Sequence, residues 1–196
     1  ILLLMPASRP QELRYILPTF LKTAKKLQLR YPNLVVYLPS CRRVFDKRFR
    51  KGLEKYEIKG KVISQQNDSE LMPYIYSLAK LALCKSGTVN MELALYGIPQ
   101  IIGYRVSRVT AFIAKRILNF KVRFISPVNL LMRKFIIPEF VQKNFNEKKI
   151  FYKACRLLDL TSEKAKIKKG YAFLKKELGE EGVVDRAAKE IINSII

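Results

Sequence analysis

Short solid apolar runs alternate along the chain with longer stripes of helical spacing. Ile1-Leu2-Leu3-Leu4-Met5 has no polar residue, which predicts a buried strand. From Gln11 to Leu29 the residues Leu13, Ile16, Leu17, Phe20, Leu21, Ala24 and Leu27 recur at three- and four-residue intervals. That spacing predicts a helix with one buried stripe, kinked by the Pro18 inside it. Leu34 to Leu38 predicts a second strand, ended by Pro39. Cys41 to Gly60 reads as a helix with a solvated basic face, since nine Lys or Arg lie between Arg42 and Lys61. Val62-Ile63-Ser64 reads as a third strand, and Asp68-Ser69-Glu70-Leu71-Met72 opens a helix carrying Ile75, Leu78 and Ala79.

The next stretch, Leu81 to Pro99, reads as strand, tight turn, short helix and stop. Leu81 to Leu83 form the strand, Ser86-Gly87-Thr88 the turn, and Val89 to about Tyr96 the helix. Gly97 is placed to end the helix and Pro99 lies just beyond. Gly87 lets backbone approach a ligand closely, and a turn at a helix start offers amides that suit a phosphate. A capping carboxylate belongs three residues after its Ser or Thr. Those places hold Val89 and Met91, so Glu92 is out of register for capping. One turn into the helix, Glu92 reads either as a plain surface carboxylate or as an acceptor for a vicinal diol such as a ribose.

Gln100 to Tyr104 predicts a further strand, and strands alternate with helices throughout. The fold class expected is therefore α/β, a Rossmann-like parallel sheet flanked by helices. In such a sheet Ser8 and Arg9 point at the same edge as Ser86, with Ser8 open to a second reading as a simple helix cap. Ile125 to Gln142 reads as irregular chain returning along the sheet edge. Glu147 to Leu158 and Ser162 to Ile196 read as helices, the second broken near Gly179 and Gly182.

Composition narrows the chemistry. The chain has 196 residues, room for one domain and a fraction, and 49% of them are hydrophobic, which excludes wholesale disorder. It does not begin with Met, and we expect it to be part of something longer. There is no histidine, so Ser-His-Asp and Cys-His catalysis are excluded within it. Cys41, Cys84 and Cys155 are odd in number and widely spaced, which favours a reducing compartment and offers no metal cluster. The formal charge of +22 calls for anionic partners: nucleotide phosphates, nucleic acid or an acidic membrane surface.

The charge is also patterned. Leu93 to Pro138 contains no acid and eight Lys or Arg. Within it Val109, Phe112, Ile113, Ile117 and Phe120 form an apolar stripe flanked by Lys115 and Arg116. The stripe reads either as core or as a membrane-facing surface formed by Phe112, Ile113, Lys115, Arg116 and Ile117.

Several motifs in order resemble those of lipid-A-disaccharide synthases, which are GT-B glycosyltransferases. Pro6-Ala7-Ser8-Arg9 with Glu12 resembles a Pro-Gly-Ser-Arg-x-x-Glu turn, with Ala7 in place of the glycine. Ser86-Gly87-Thr88 with Glu92 is similar to Ser-Gly-Thr-x-x-x-Glu. Gly97-Ile98-Pro99 through Gly103-Tyr104-Arg105 resembles Gly-x-Pro…Gly-Tyr-Arg, and Ala114-Lys115-Arg116 an Ala-Lys-Arg. Asn129-Leu130-Leu131 and Pro138-Glu139-Phe140-Val141-Gln142 are similar to Pro-Asn-Leu and Pro-Glu-Leu-Leu-Gln segments. Departures occur at Lys80, where Asp is usual, and at Pro127-Val128 and Met132 to Phe135.

The resemblance implies the C-terminal, donor-binding domain of such an enzyme, with residues 1–158 binding a UDP-sugar and 159–196 adding C-terminal helices. The N-terminal acceptor domain, which carries the candidate base, is absent from the chain. The implied reaction is an inverting transfer from UDP-2,3-diacylglucosamine to 2,3-diacylglucosamine 1-phosphate. The implied contacts are Arg9 and the Ser86-Gly87-Thr88 turn on the diphosphate, Glu92 on the ribose, and Ser8 and Asn129 in support. No catalytic residue is assigned within the chain, and neither cofactor nor metal is expected. An anionic membrane surface and the missing domain are the implied partners, a homodimer is left open, and the implied location is peripheral on the cytoplasmic face of the inner membrane. Two other readings remain: the donor domain of another GT-B enzyme using UDP-N-acetylglucosamine, and a basic nucleic-acid-binding domain. Nucleic acid is not among the expected partners, because the chain has no recognisable nucleic-acid motif.

Overall fold

In the computed structural model, residues 1–7, 9–64, 68–107, 110, 123–179 and 182–194 are described. Six strands form one sheet: β1 (Leu2–Met5), β2 (Val36–Ser40), β3 (Gly60–Ser64), β4 (Leu81–Cys84), β5 (Gln100–Tyr104) and β6 (Glu139–Val141). Their order is β3-β2-β1-β4-β5-β6, and every neighbouring pair is parallel. Leu2 to Met5 run in register with Leu81 to Cys84, so β1 and β4 are adjacent at the middle of the sheet. Leu2, Leu3, Leu4 and Leu81 to Cys84 are fully buried, which explains their unbroken apolar runs.

The helices follow the stripes. Helix α1 (Pro10–Arg30) buries Leu13, Ile16, Leu17, Phe20, Leu21, Ala24 and Leu27, the full expected face. Pro18 lies inside it but on the exposed side, where water can serve the Arg14 carbonyl that loses its donor. Helix α2 spans Arg43–Lys55 and buries only Phe45, Phe49 and Leu53, leaving its basic residues outward. After a 3₁₀ turn at Ser69–Leu71 come α3 (Met72–Leu78) and α4 (Val89–Leu95). Then follow α5 (Pro127–Met132), α6 (Glu147–Asp159), α7 (Thr161–Leu178) and α8 (Val183–Asn193). Gly97, with φ +69°, ends α4 in the left-handed conformation that glycine adopts most easily.

Three expectations need correction. Pro39 does not end β2, which continues through Ser40. The Val36 amide donates to Lys59 on the β3 side, so by alternation the Pro39 nitrogen faces β1. Pairing with β1 stops at Tyr37, and the absent N–H costs the ladder nothing. Ile125 to Gln142 does return along the sheet edge, but it is ordered as α5 and β6 rather than irregular. Its helix signal is local: Ser126 caps α5 by accepting from the Asn129 amide, and Pro127 sits at the first helical position. The helix expected to carry Ala79 stops one residue earlier: α3 ends at Leu78, which is 40% exposed, and Ala79 follows it in extended conformation.

Gly103 on β5 has a packing reason for having no side chain. A Cβ there would lie 2.2 Å from Cε2 of Phe145 and 2.8 Å from Cζ of Phe20. Those rings meet edge to face with centroids 5.4 Å apart. Helix α7 joins the same core through Ile167, Tyr171 and Leu174. Helix α8 buries no described residue.

Candidate functional site

The strand order reverses between β1 and β4, which places the loops after these strands side by side at the carboxyl edge of the sheet. In open parallel sheets that crevice is where ligands bind. The loop after β1 carries Ala7 and Arg9 and runs into α1; the loop after β4 is Lys85-Ser86-Gly87-Thr88 and runs into α4. An ion pair ties them. Lys85 Nζ donates to both oxygens of Glu12, at 2.7 and 2.9 Å, with both side chains only about 15% exposed. The partners are 73 residues apart in sequence, so no local pattern announces them.

The turn is braced from beneath. Asn90, fully buried, accepts from the Gly87 amide at 2.9 Å and donates to the Lys85 carbonyl at 3.1 Å. The Asn90 carbonyl takes a hydrogen bond from Gln100, whose amide also reaches the Tyr171 hydroxyl at 3.0 Å. Tyr171 in turn donates to the Ile98 carbonyl. A buried polar chain thus links the turn to α7, and desolvation raises the Tyr171 pKa so that its hydroxyl stays protonated. The Cys84 thiol is fully buried and likewise pushed up by burial, which leaves it inert.

Among the described residues Gly87 has no crowding neighbour: a Cβ there would meet only Lys85 Cε, at 3.6 Å. Neither a positive φ nor packing against the described residues requires glycine at this position. Thr88 is exposed. The amides of Ser86, Thr88 and Val89 find no acceptor among the described residues. Helix α4 has seven residues, so its dipole is small and the turn amides are the main donors.

Glu92 is exposed on α4. Beside it the Tyr76 hydroxyl is buried with no hydrogen-bond partner among the described residues. Burial first, and then the negative charge of Glu92, raise the Tyr76 pKa. Arg9 is exposed with no carboxylate in ion-pair range among the described residues.

Ser86 and Asn129 are committed to protein partners. The Ser86 hydroxyl donates to the Ile125 carbonyl. Asn129 is fully buried: its Oδ1 accepts the Ile136 and Ile137 amides at 2.8 and 3.0 Å, and its Nδ2 donates to the Ile137 carbonyl and to Glu139. Glu139 lay in a quoted motif without an assigned role. Arg105 donates to the Gln142 and Phe145 carbonyls and lies over the Phe145 ring, 5.2 Å from its centroid. Ser8, and the membrane-facing set Phe112, Ile113, Lys115, Arg116 and Ile117, lie outside the described residues. No helix among the described residues is long and apolar enough to cross a membrane.

A parallel sheet ordered 3-2-1-4-5-6, with two loops meeting at its switch point, defines a doubly wound, Rossmann-like domain. The solved structure of UDP-GlcNAc 2-epimerase from Neisseria meningitidis bound to UDP-GlcNAc matches with a TM-score of 0.56 at 13% identity, over 90% of this chain and 43% of that one. A GtfA/B complex matches with a TM-score of 0.50, also at 13% identity, over 89% of this chain and 32% of that one. The sequence profile of the lipid-A-disaccharide synthetase family matches residues 1–195. The lipid-A-disaccharide synthase of Prochlorococcus marinus (strain MIT 9313) is 47% identical over 98% of this chain and 49% of its own length. That of Synechocystis sp. is 37% identical over 98% of this chain and 48% of its own length. The chain belongs to the lipid-A-disaccharide synthase family, and it spans about half the length of these relatives.

Proposed function

We propose that the chain is the donor-binding half of an inverting hexosyltransferase that joins UDP-2,3-diacylglucosamine to 2,3-diacylglucosamine 1-phosphate. The observation that carries this is the meeting of the Arg9 and Ser86-Gly87-Thr88 loops at the switch point, beside a glycine that no described residue crowds. Arg9 and the amides of the turn take the diphosphate, and Glu92 takes the ribose diol. Ser8 and Asn129 support them, Asn129 through the Glu139 loop. The acceptor hydroxyl oxygen attacks the anomeric carbon, its proton passes to a base on the companion half, and the bond to UDP breaks with its electron pair on the diphosphate. Positive and N–H groups on this half stabilise that leaving charge. The chain alone, which in this reading lacks the base, does not form disaccharide. Residues 1–158 form the donor unit, with 159–196 as the C-terminal helices.

The same reading places the protein on the cytoplasmic face of an inner membrane. Within the acid-free stretch Leu131 and Phe135 are 59% and 61% exposed, among the exposed Arg123, Arg133 and Lys134. Apolar and basic groups together suit an anionic bilayer. Co-sedimentation with anionic but not neutral vesicles, lost in high salt, is the expected result; no sedimentation overturns the membrane assignment.

Calorimetry with UDP tests the donor assignment. Glu92→Ala removes charge-assisted hydrogen bonds worth about 1.5–3 kcal/mol, so Kd should rise about tenfold or more. An unchanged Kd returns Glu92 to a plain surface carboxylate. Absence of UDP binding by the unaltered chain, with salt-sensitive binding to duplex DNA or RNA, favours the nucleic-acid reading instead.

A further inference from the structure

Glu139 opens the outermost strand, β6, and its carboxylate collects four donors. Oε2 accepts the Ile125 amide at 2.9 Å. Oε1 accepts the Ser126 amide at 2.9 Å, the Ser126 hydroxyl at 2.7 Å and Asn129 Nδ2 at 2.8 Å. On the other side of the same residue, the Ile125 carbonyl accepts the Ser86 hydroxyl. One carboxylate is thus connected, through a single residue of backbone, to the turn that faces the crevice.

Much of this loop does not need Glu139. Asn129 alone binds the Ile136 and Ile137 amides and the Ile137 carbonyl, which ties α5 to the start of β6. Strand β6 is held by its backbone pairing with β5. What the carboxylate holds without help from Asn129 is the Ile125–Ser126 backbone. A charged acceptor makes shorter and stronger hydrogen bonds than a neutral one, and this one takes three of its four from that junction, the fourth coming from Asn129.

We propose that Glu139 is a positioning residue for donor binding. It fixes the Ile125–Ser126 backbone, the Ile125 carbonyl fixes the Ser86 hydroxyl, and the Ser86-Gly87-Thr88 turn is kept in one arrangement before ligand arrives. This rests on the donor-site reading above. Ser86 acts as a latch between turn and loop, while the turn amides face the ligand.

Glu139→Gln separates this role from general stability. The amide keeps one oxygen, which can serve Ser126 and Asn129, but its NH₂ then faces the Ile125 N–H, donor against donor. The Ile125 end is released while the cap of α5 remains. The experiment measures UDP affinity by calorimetry, hydrogen exchange at the Gly87 amide, which Asn90 holds within the turn, and the thermal midpoint. It uses the unaltered chain, Glu139→Gln, Ser86→Ala and the double variant. Each single change should weaken UDP binding about fivefold to tenfold and speed exchange at the turn, with β1 and β4 amides unaffected. The double variant should be no more than about twofold weaker than the weaker single, because both changes cut one connection.

Unchanged UDP affinity and turn exchange in Glu139→Gln, with the unaltered chain binding UDP, overturn the positioning role and leave the donor reading standing. Losses that multiply in the double variant also overturn it. An unaltered chain without UDP affinity overturns both. Should Glu139→Gln fail to fold, Ser86→Ala decides alone, and wild-type exchange at the turn then refutes the latch.

Discussion

Replacing Gly103 with Ala is expected to strain the core severely, through a clash fixed by the geometry. The new Cβ would stand 2.2 Å from Cε2 and 2.8 Å from Cδ2 of Phe145, and 2.8 Å from Cζ of Phe20. Carbon atoms normally approach to about 3.5–4.0 Å, so the Phe145 ring must retreat by more than about 1 Å. Both rings are fully buried, and they pack edge on at an interplanar angle of 79°, so neither can move without the other. Overpacking costs about 1–3 kcal/mol, and with two rings involved we expect about 3. For a domain of this size that lowers the melting temperature by roughly 6–12 °C. Thermal melting of Gly103→Ala, Phe145→Leu and the double variant is the assay. The smaller Leu should make room, so the double variant should be more stable than the two separate losses predict. A Gly103→Ala protein that melts within about 2 °C of wild type, or strict additivity, would refute the packing account.

Three further outcomes follow from the same structure. Lys85→Met leaves Glu12 half-enclosed without its cation and should cost about 2–3 kcal/mol by chemical denaturation, whereas Glu12→Leu with Lys85→Met should recover most of that loss. No recovery in the double variant would show that the loops are not joined by this pair. Glu163 accepts from Lys153 and Arg156, and its pKa is lowered, first by the Lys153 hydrogen bond. A lowered folded pKa stabilises above the ordinary glutamate value and is lost as pH falls through the folded one. The melting-temperature gap between wild type and Glu163→Gln should therefore shrink from about pH 5 downward, and a constant gap would sink the linkage. Ending the chain after Gly182 removes α8, which buries no described residue, and should shift the melting temperature by no more than about 2 °C; a larger drop would show that α8 packs on this chain.

The Rossmann-like class was legible in the sequence because fully buried parallel strands must be apolar runs and their helices must carry one apolar stripe. Ile1 to Met5, Leu81 to Leu83 and the α1 stripe state this locally, and the structure buries Leu2 to Leu4, Leu81 to Leu83 and the stripe, with Ile1 and Met5 partly buried at the ends of the run. The Ser86-Gly87-Thr88 turn and Glu92 were also legible, because turn, helix and stop lie within a dozen residues. Even α5 had a local sign in Ser126-Pro127. The connections between loops had none. Lys85 meets Glu12, Ser86 meets Ile125 and Gln100 meets Tyr171 across separations of 73, 39 and 71 residues. Hydrophobic periodicity encodes which face of an element is buried, but a polar pairing between distant loops depends on strand order and register. Gly103 shows the same division: the sequence placed it in a motif, and only the approach of Phe145 and Phe20 through space explains why no larger residue fits. Burial is set by local pattern, whereas contact is set by topology, and the site is made of contacts.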